Sequence, residues 1–159
     1  MITSNNNFLL YNDAYETCER TVVELRIYSD KVTPAAVSSC LGLGPSSSLA
    51  KGEVRFSRSG KRQRVSNINT WVLSSEDHVR SKDARRHLDW LLNQIESAKS
   101  ALLDLQENSE VTMYVACVWW SAFGQGGPRF WAQQLRALGE FGLELEVDCA
   151  FFGDESTDE

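Results

Sequence analysis

Residues 111–120 read V-T-M-Y-V-A-C-V-W-W and are mostly apolar at both odd and even positions. Successive side chains of a β-strand point to opposite faces, so a strand of this composition is covered on both faces. The run is shorter than the roughly 20 apolar residues that a membrane-spanning helix needs. It therefore predicts an interior strand of a sheet.

The segments around this strand alternate between strand and helix patterns. Residues 19–28 place Val23, Leu25 and Ile27 on one face and polar side chains on the other, which predicts a strand with one buried face. Residues 81–106 carry apolar side chains at helical spacing, which predicts the longest helix. The remaining predicted elements are a helix from Pro34 with Val37, Cys40 and Leu41 inward, a loop at 44–48, strands at 52–57 and 69–74 joined as a long hairpin, a helix from Pro128 with Trp131, Leu135 and Leu138 inward, and a strand at 143–152.

The resulting order, β-α-β-β-α-β-α-β, predicts an α+β fold. Its first six elements match the split pattern of a ferredoxin-like sandwich (β-α-β-β-α-β), and an added α-β unit follows. A right-handed crossover would place the last strand parallel to the strand at 111–120. The length of 159 residues suits one domain. We expect an irregular N-terminal segment at 1–18, a single α+β domain at 19–153 and an acidic tail at 154–159.

Five features follow one another in a fixed order along the chain: L-G-L-G-P (41–45), K-G-E (51–53), N-T-W (69–71), the long amphipathic helix and F-G-L-E-L-E-V-D (141–148). Together they resemble a bacterial family known as domain of unknown function 4279, over about residues 20–150. The resemblance implies a small α+β domain in cytoplasmic bacterial proteins, with no assigned activity and no catalytic residues. Some small proteins of this general kind are immunity proteins encoded beside toxin genes, which is an analogy at the level of fold.

The net charge of −6 argues against general affinity for DNA or RNA, which requires phosphates to be neutralised. The charge is also unevenly distributed. We interpret the basic stretch as a solvated loop that protects a sheet edge, with binding of an acidic partner, a phosphate or a nucleic acid as the alternative. The basic stretch holds Arg55, Arg58, Lys61, Arg62 and Arg64, and the acidic C-terminal end holds Glu144, Glu146, Asp148, Asp154, Glu155, Asp158 and Glu159.

The cysteines and histidines do not follow a metal-binding pattern. No two of the four cysteines have C-x-x-C spacing, so we predict no metal site and no cofactor. Cys117 and Cys149 fall in apolar strand patterns and are expected to be buried thiols. We interpret His78 and His87 as surface histidines, with a dyad formed through folding as the alternative, so no catalytic residue and no enzymatic activity is predicted. The first residues lack the features of a secretory signal, which predicts a cytoplasmic location.

The glycine-rich turn after residue 120 is a candidate anion site. Free amides at the start of a helix attract anions, and here Gly126 and Gly127 precede a predicted helix while Arg129 adds positive charge. The glycine motifs typical of nucleotide-binding loops are absent. The alternative is a tight turn packed among aromatic side chains.

Trp119 and Trp120 are adjacent, so they point to opposite faces of the sheet. We expect Trp120 to lie with Tyr28 and Tyr114 on the face that the helices leave uncovered. Either the N-terminal segment from Phe8 to Tyr15 or a second subunit is expected to cover that face, unless it binds a partner or ligand.

These observations predict a non-enzymatic protein-binding module whose acidic C-terminal strand meets a basic surface. The expected class is an immunity-type protein that binds and blocks a basic toxin, and a homodimer is the other protein partner considered. The alternative function is a small-ligand-binding or regulatory domain that uses the open sheet face or the turn at Gly124–Arg129. Membrane and nucleic-acid partners are not expected. The residues predicted to bind the partner are Tyr114, Trp120, Glu144, Glu146 and Asp148.

Overall fold

The computed structural model describes residues 10–151, so the predicted tail at 154–159 and the start of the Phe8–Tyr15 segment lie outside the described residues. Within this range the strands form a five-stranded mixed sheet and a separate two-stranded hairpin. The strands are β1 (Cys18–Ser29), β2 (Ser47–Leu49), β3 (Val54–Phe56), β4 (Gln63–Val65), β5 (Asn69–Ser74), β6 (Val111–Ser121) and β7 (Leu145–Phe151). The helices are α1 (Pro34–Leu41), α2 (Ala84–Ile95), α3 (Lys99–Gln106) and α4 (Ala132–Glu140), and a 3-10 turn at Glu96–Ala98 joins α2 to α3.

The large sheet has the strand order β2-β5-β1-β6-β7. β1 is antiparallel to both of its neighbours, β2 is antiparallel to β5, and β7 is parallel to β6, as the crossover argument predicts. β1 and β6 pair over almost their whole length, from Cys18 opposite Ser121 to Ser29 opposite Val111. The prediction of an interior strand at 111–120 is confirmed, because β6 lies between β1 and β7.

The strand pairing around the basic stretch differs from the prediction. β3 pairs with β4 in a small sheet of its own, and not with residues 69–74. β5 instead pairs with β2, which lies in a segment predicted as loop. Gly60 adopts a φ of +69°, which lets the chain turn back soon after β3, and Ser57 N–H then donates to Arg62 O at 2.8 Å. The local turn therefore closes a short hairpin before the chain reaches β5.

The helices all cover one face of the large sheet. The alternation predicted for β1 is confirmed, since Val23, Leu25 and Ile27 are buried beneath them. Burying a side chain of this kind stabilises the fold by about 1.5–3 kcal/mol. The same buried cluster includes Val37 of α1, Leu88 and Leu91 of α2, Leu102 of α3, Leu138 of α4, Trp71 and Leu73 of β5, and Val115 and Cys117 of β6.

The first helix begins and ends as its sequence predicts. The Thr33 hydroxyl accepts a hydrogen bond from Ala36 N–H at 3.2 Å, and Gly42, with a φ of +65°, ends the helix. Cys40 was predicted to point inward but is exposed. Val37 and Leu41 are one helical turn apart and form the buried stripe, and Cys40 lies beside it.

The predicted helix at 81–106 starts three residues late and is interrupted. Asp83 is its N-cap and accepts from Arg85 N–H at 3.0 Å, so regular helix begins at Ala84. The 3-10 turn at Glu96–Ala98 then separates α2 from α3. No Pro or Gly lies between residues 84 and 106, so the sequence carries no marker for this break.

The helix predicted from Pro128 begins only at Ala132. Residues 122–131 form an irregular connection, which we call the strap. At Gly126, with a φ of +90°, an added Cβ would lie 2.6 Å from Thr17 Oγ1 and 3.2 Å from the Trp119 ring. The strap therefore follows the surface around Trp119 before the helix can start.

The later start also changes which side of α4 faces the core. Leu138 is buried as predicted, but Leu135 is 49% exposed and Gln134 is buried in its place. The Gln134 side chain is fully hydrogen-bonded, and its Oε1 accepts from Trp131 N–H at 2.9 Å at the start of the helix.

No helix within residues 10–151 is long and apolar enough to cross a membrane.

Candidate functional site

The sheet face opposite to the helices, which we call the open face, carries a mixture of aromatic and charged side chains. They come from even-numbered positions of β1, β6 and β7, because the register sets even-numbered residues of neighbouring strands side by side. None of the helices within residues 10–151 packs on this face. Its side chains are Arg20, Glu24, Arg26, Tyr28, Tyr114, Trp120, Glu146 and Asp148.

Tyr28 and Tyr114 form one end of the open face. Their rings stack with centroids 6.1 Å apart, and Arg26 lies opposite Tyr114 and binds Glu24 at 2.9 Å. Burial raises the pKa of Tyr28 above its ordinary value, because a phenolate would lose hydration there. This end therefore offers flat apolar rings with polar hydroxyl tips, a surface type common at protein interfaces.

Trp120 lies at the other end of the open face. It follows Tyr114 by six residues along β6, which at about 3.3 Å per residue separates them by roughly 20 Å. The Arg20 guanidinium lies 4.7 Å from the Trp120 ring centroid and also pairs with Glu76. Trp120 is thus on the predicted face but does not join Tyr28 and Tyr114 in a single cluster.

The β7 edge of the open face is acidic. Glu146 lies beside Ala116 and Asp148 beside Val118 in the parallel register, and Glu144 precedes the strand. All three carboxylates are exposed, and within the described part of the chain none of them forms an ion pair. They are therefore available to a basic partner.

The described part of the N-terminal segment, residues 10–17, lies on the helix side of the sheet. The Tyr11 hydroxyl donates to the Asp89 carboxylate in α2. The Tyr15 hydroxyl donates to Gly127 O of the strap at 3.1 Å. The expected alternative, in which this segment covers the open face, is therefore wrong for residues 10–17.

A family model described as Domain of unknown function (DUF4279) matches residues 17–151, a range that spans every strand and helix from β1 to β7. The chain belongs to the DUF4279 family. The resemblance inferred from the sequence is thereby confirmed. No curated protein and no solved structure matches the chain at a significant level.

The glycine turn of this DUF4279 domain lacks the geometry on which the anion site was predicted. That prediction placed Gly126, Gly127 and Arg129 at the N-terminus of a helix, where free amides collect. Because α4 begins at Ala132, these residues lie in the strap, outside the first helical turn. The strap is a connection packed against aromatic side chains, which was the alternative interpretation.

A buried serine–histidine pair lies inside this DUF4279 domain, so the prediction of a surface histidine is wrong for His87, which is 1% exposed, whereas His78 is exposed. Ser75 follows β5, and its Oγ is 2.7 Å from His87 Nδ1 in α2. His87 Nε2 lies 2.9 Å from the Ser81 carbonyl, which can only accept, so Nε2 carries the hydrogen and Nδ1 accepts from Ser75. Ser75 Oγ in turn accepts from Val23 N–H at 2.9 Å. Burial lowers the pKa of His87 and favours the neutral ring.

This pair does not support nucleophilic catalysis. Ser75 and His87 are 0% and 1% exposed, so no substrate reaches the hydroxyl. A backbone carbonyl, and not a carboxylate, holds the second ring nitrogen. The pair instead links β1, β5 and α2 through satisfied buried hydrogen bonds.

A second buried polar group joins the N-terminal segment to the helices. The fully buried Asp83 carboxylate accepts from Asn12 N–H at 2.6 Å and from the Arg85 guanidinium at 2.7 Å. Burial acts to raise the pKa of Asp83, but the hydrogen bonds from Arg85 and Asn12 outweigh it and hold the pKa below its usual value. Gln134 Nε2 donates to Asp89 Oδ1 at 2.7 Å, which adds α4 to the same network.

The structure confirms the prediction of a buried thiol for Cys117 and shows Cys149 to be only partly buried. Cys117 is buried, and burial raises its pKa to about 12, whereas Cys149 is half-buried. Within residues 10–151 no group of three or more His, Cys, Asp or Glu side chains is placed to hold a metal ion.

Helical spacing contained a signal for the missed histidine. His87 comes three residues after Ala84 and four before Leu91, both of which are buried, so the periodicity places it on the inward stripe. A histidine on that stripe needs a hydrogen-bond partner. Which residue would be that partner depends on tertiary structure.

Proposed function

We propose that this DUF4279 domain is a non-catalytic protein-binding module and that its open face is the docking surface. The observation that carries the proposal is the open face itself, where aromatic rings and unpaired carboxylates lie on a sheet surface without a helix on it. Tyrosine, tryptophan and arginine are the residues enriched at interface hot spots. Tyr114, with its stacked neighbour Tyr28, and Trp120, with Arg20, provide two such anchors.

The partner is proposed to be basic. Glu144, Glu146 and Asp148 line the β7 edge without counter-charges within residues 10–151, whereas Glu24 is neutralised by Arg26. Complementary charge speeds association and selects the partner. An immunity-type role, in which the domain covers a basic toxin, fits this charge pattern and is the specific class that we propose.

The proposed frame for this surface is a ferredoxin-like sheet extended by one strand. β1 lies between β5 and β6 and is antiparallel to both, and β2 continues the sheet beyond β5. With β2 in place of the predicted 52–57 strand, β1-α1-β2-β5-α2-β6 follows the split β-α-β order. α4 and β7 then form the added unit.

Co-purification with the product of the neighbouring gene tests the proposal. We expect a complex on size exclusion, with a dissociation constant that rises at least about tenfold in E146K/D148K and in W120A. The matched control is D104K/E107K, which reverses two exposed carboxylates at the end of α3 on the helix side and is expected to bind as the unaltered chain does. Equal loss of binding in both charge variants would show a general charge effect and remove the open face as the site.

A second candidate function is supported by a cleft of about 360 Å³ between the start of β1 and the loop at 76–82. Its charged lining consists of three basic residues, Arg20, Arg80 and Lys82, and three acidic residues, Asp13, Glu19 and Glu76. A small ligand that carries both a positive and a negative group is the class that this mixed lining favours. A thermal-shift screen tests this function, since a ligand at 100 times its Kd adds about 2.7 kcal/mol of stability. No shift with any metabolite or nucleotide would rule it out.

A further inference from the structure

The β3–β4 hairpin is a small sheet that stands apart from the five-stranded sheet. Val54 pairs with Val65, Arg55 with Arg64 and Phe56 with Gln63. All six residues are exposed, and Phe56 is 67% exposed. A two-stranded hairpin is at best marginally stable in water on its own, so an additional contact would stabilise this one.

The two sides of the hairpin differ in chemistry. Residues that pair across two strands share a side, which places Val54, Phe56 and Val65 on one side and Arg55 with Arg64 on the other. Arg62 has the same parity as Arg64 and extends the basic side toward the turn. The basic residues of the hairpin, which form no ion pair within residues 10–151, are Arg55, Arg58, Lys61, Arg62 and Arg64.

Strand β7 has the complementary pattern at the opposite edge of the large sheet. Glu146 and Asp148 point to the open face, and Leu145, Val147 and Cys149 point to the helix side. Val147 is 42% exposed because the helices do not reach this edge. Among the described residues β7 pairs with β6 alone, so its outer edge has free backbone groups.

We propose that the β3–β4 hairpin of one copy of this chain adds edge-on to β7 of a second copy. Side chains of paired strands lie on the same face. Arg64 of β4 and Arg62, which lies just before β4, are spaced by two residues and therefore meet Glu146 and Asp148, which have the same spacing on β7. The apolar side of the hairpin then lies beside Val147. The five-stranded sheet of one copy is thereby continued by the hairpin of the next.

The charge distribution favours a second copy over a nucleic acid as the occupant. Residues 54–65 hold five basic and no acidic side chains, a charge of +5, so the rest of the chain carries −11 within the total of −6. A nucleic acid bound to the hairpin would be repelled by that acidic body. The body of another copy attracts the hairpin instead, and β7 offers it a matching strand.

The contact joins different molecules because the two elements lie at opposite edges of the sheet. The hairpin leaves the chain between β2 and β5, and β7 is at the far end of the order β2-β5-β1-β6-β7. The two surfaces are different, so one contact leaves a hairpin and a β7 edge free. Mutual exchange closes a dimer, and successive addition gives a head-to-tail series. The inference rests on the proposed function only in treating β7 as the binding edge.

Sedimentation velocity of the full chain, with light scattering after size exclusion, tests this proposal. In low salt we expect a dimer or larger species that dissociates at high salt, where the screening length falls from about 10 Å at 0.1 M to about 3 Å at 1 M. R62E/R64E and E146K/D148K are each expected to raise the dissociation constant at least about tenfold. The matched control, R129E/R136E, changes the charge equally at exposed arginines outside the hairpin and is expected to associate like the unaltered chain.

Mixing and charge exchange make the result specific. R62E/R64E keeps the acidic β7 and E146K/D148K keeps the basic hairpin. In a mixture of the two variants each hairpin therefore meets a β7 of opposite charge on the other variant, so the mixture is expected to associate although each variant alone does not. The chain with all four substitutions again pairs opposite charges, so it is expected to recover association. A chain that stays monomeric at low salt, or four substitutions that do not restore what two abolish, would overturn the proposal. If the unaltered chain stays monomeric at low salt but still binds a foreign partner through the open face, this inference alone is removed.

Discussion

Replacing Ser75 with Ala removes one hydroxyl from the buried pair and leaves two polar groups without a partner. The hydroxyl accepts from Val23 N–H at 2.9 Å and lies 2.7 Å from His87 Nδ1, and both groups are buried. An orphaned buried donor or acceptor costs about 1–3 kcal/mol, so S75A is expected to lower the free energy of unfolding by about 2–6 kcal/mol. This is a large part of the roughly 5–15 kcal/mol that stabilises a typical domain.

Urea unfolding followed by tryptophan fluorescence measures this loss as a lower midpoint at an unchanged slope. A loss near the middle of the range, about 4 kcal/mol, corresponds to a melting temperature lower by about 8–16 °C. The matched control is S59A in the exposed hairpin turn, where the hydroxyl contacts only Ser57 Oγ at 3.0 Å, and a change within about 0.5 kcal/mol is expected. If S75A is no more destabilised than S59A, the buried pair does not hold β1, β5 and α2 together.

Three further results are expected. His87 has a lowered pKa in the folded chain, so its contribution to stability is present above its unfolded pKa of about 6.5 and is lost as the pH falls below that value. H87Q cannot titrate, so it should flatten this part of a curve of stability against pH. An unchanged curve would argue against a neutral buried ring. G126A is expected to lose about 1–3 kcal/mol in thermal unfolding, because a side chain at φ +90° is strained and its Cβ would meet Thr17, whereas G127A has open space and should change little; equal effects would contradict the packing of the strap. Cys40 is exposed and should react with a thiol reagent in the native chain, while Cys117, with a pKa raised to about 12, should react only after unfolding, as mass spectrometry of labelled peptides would show.

The sequence was most informative where one side-chain pattern decides the structure. The alternation at 19–28 and the two-sided apolar run at 111–120 predicted β1 and β6 because burial follows directly from residue type. β2 has only the residues S-S-L, and its strand conformation comes from pairing with β5. Such a strand has no pattern of its own to detect, since its stability depends on tertiary contact.

The candidate site was predictable as a face but not as an arrangement. Alternation placed Tyr114, Trp120, Glu146 and Asp148 together on the open face, and the register agrees. Sharing a face did not place Tyr114 and Trp120 in contact, because their spacing along one strand determines their separation. The position of the strap depended on the approach of Gly126 to Thr17, and no local pattern indicates a contact between such distant residues.

The bonds made by residues 11–15 bear on where the smallest independently folding fragment begins. Asn12 supplies a backbone donor to the interior carboxylate of Asp83, and Tyr11 and Tyr15 reach Asp89 and the strap. A protein truncated to the 17–151 span of the family match would lack these three hydrogen bonds, and the Asp83 carboxylate would lose one of its donors. We therefore expect the independently folding unit to extend upstream of the family boundary, and fragments cut at residue 17 to be harder to obtain in native form.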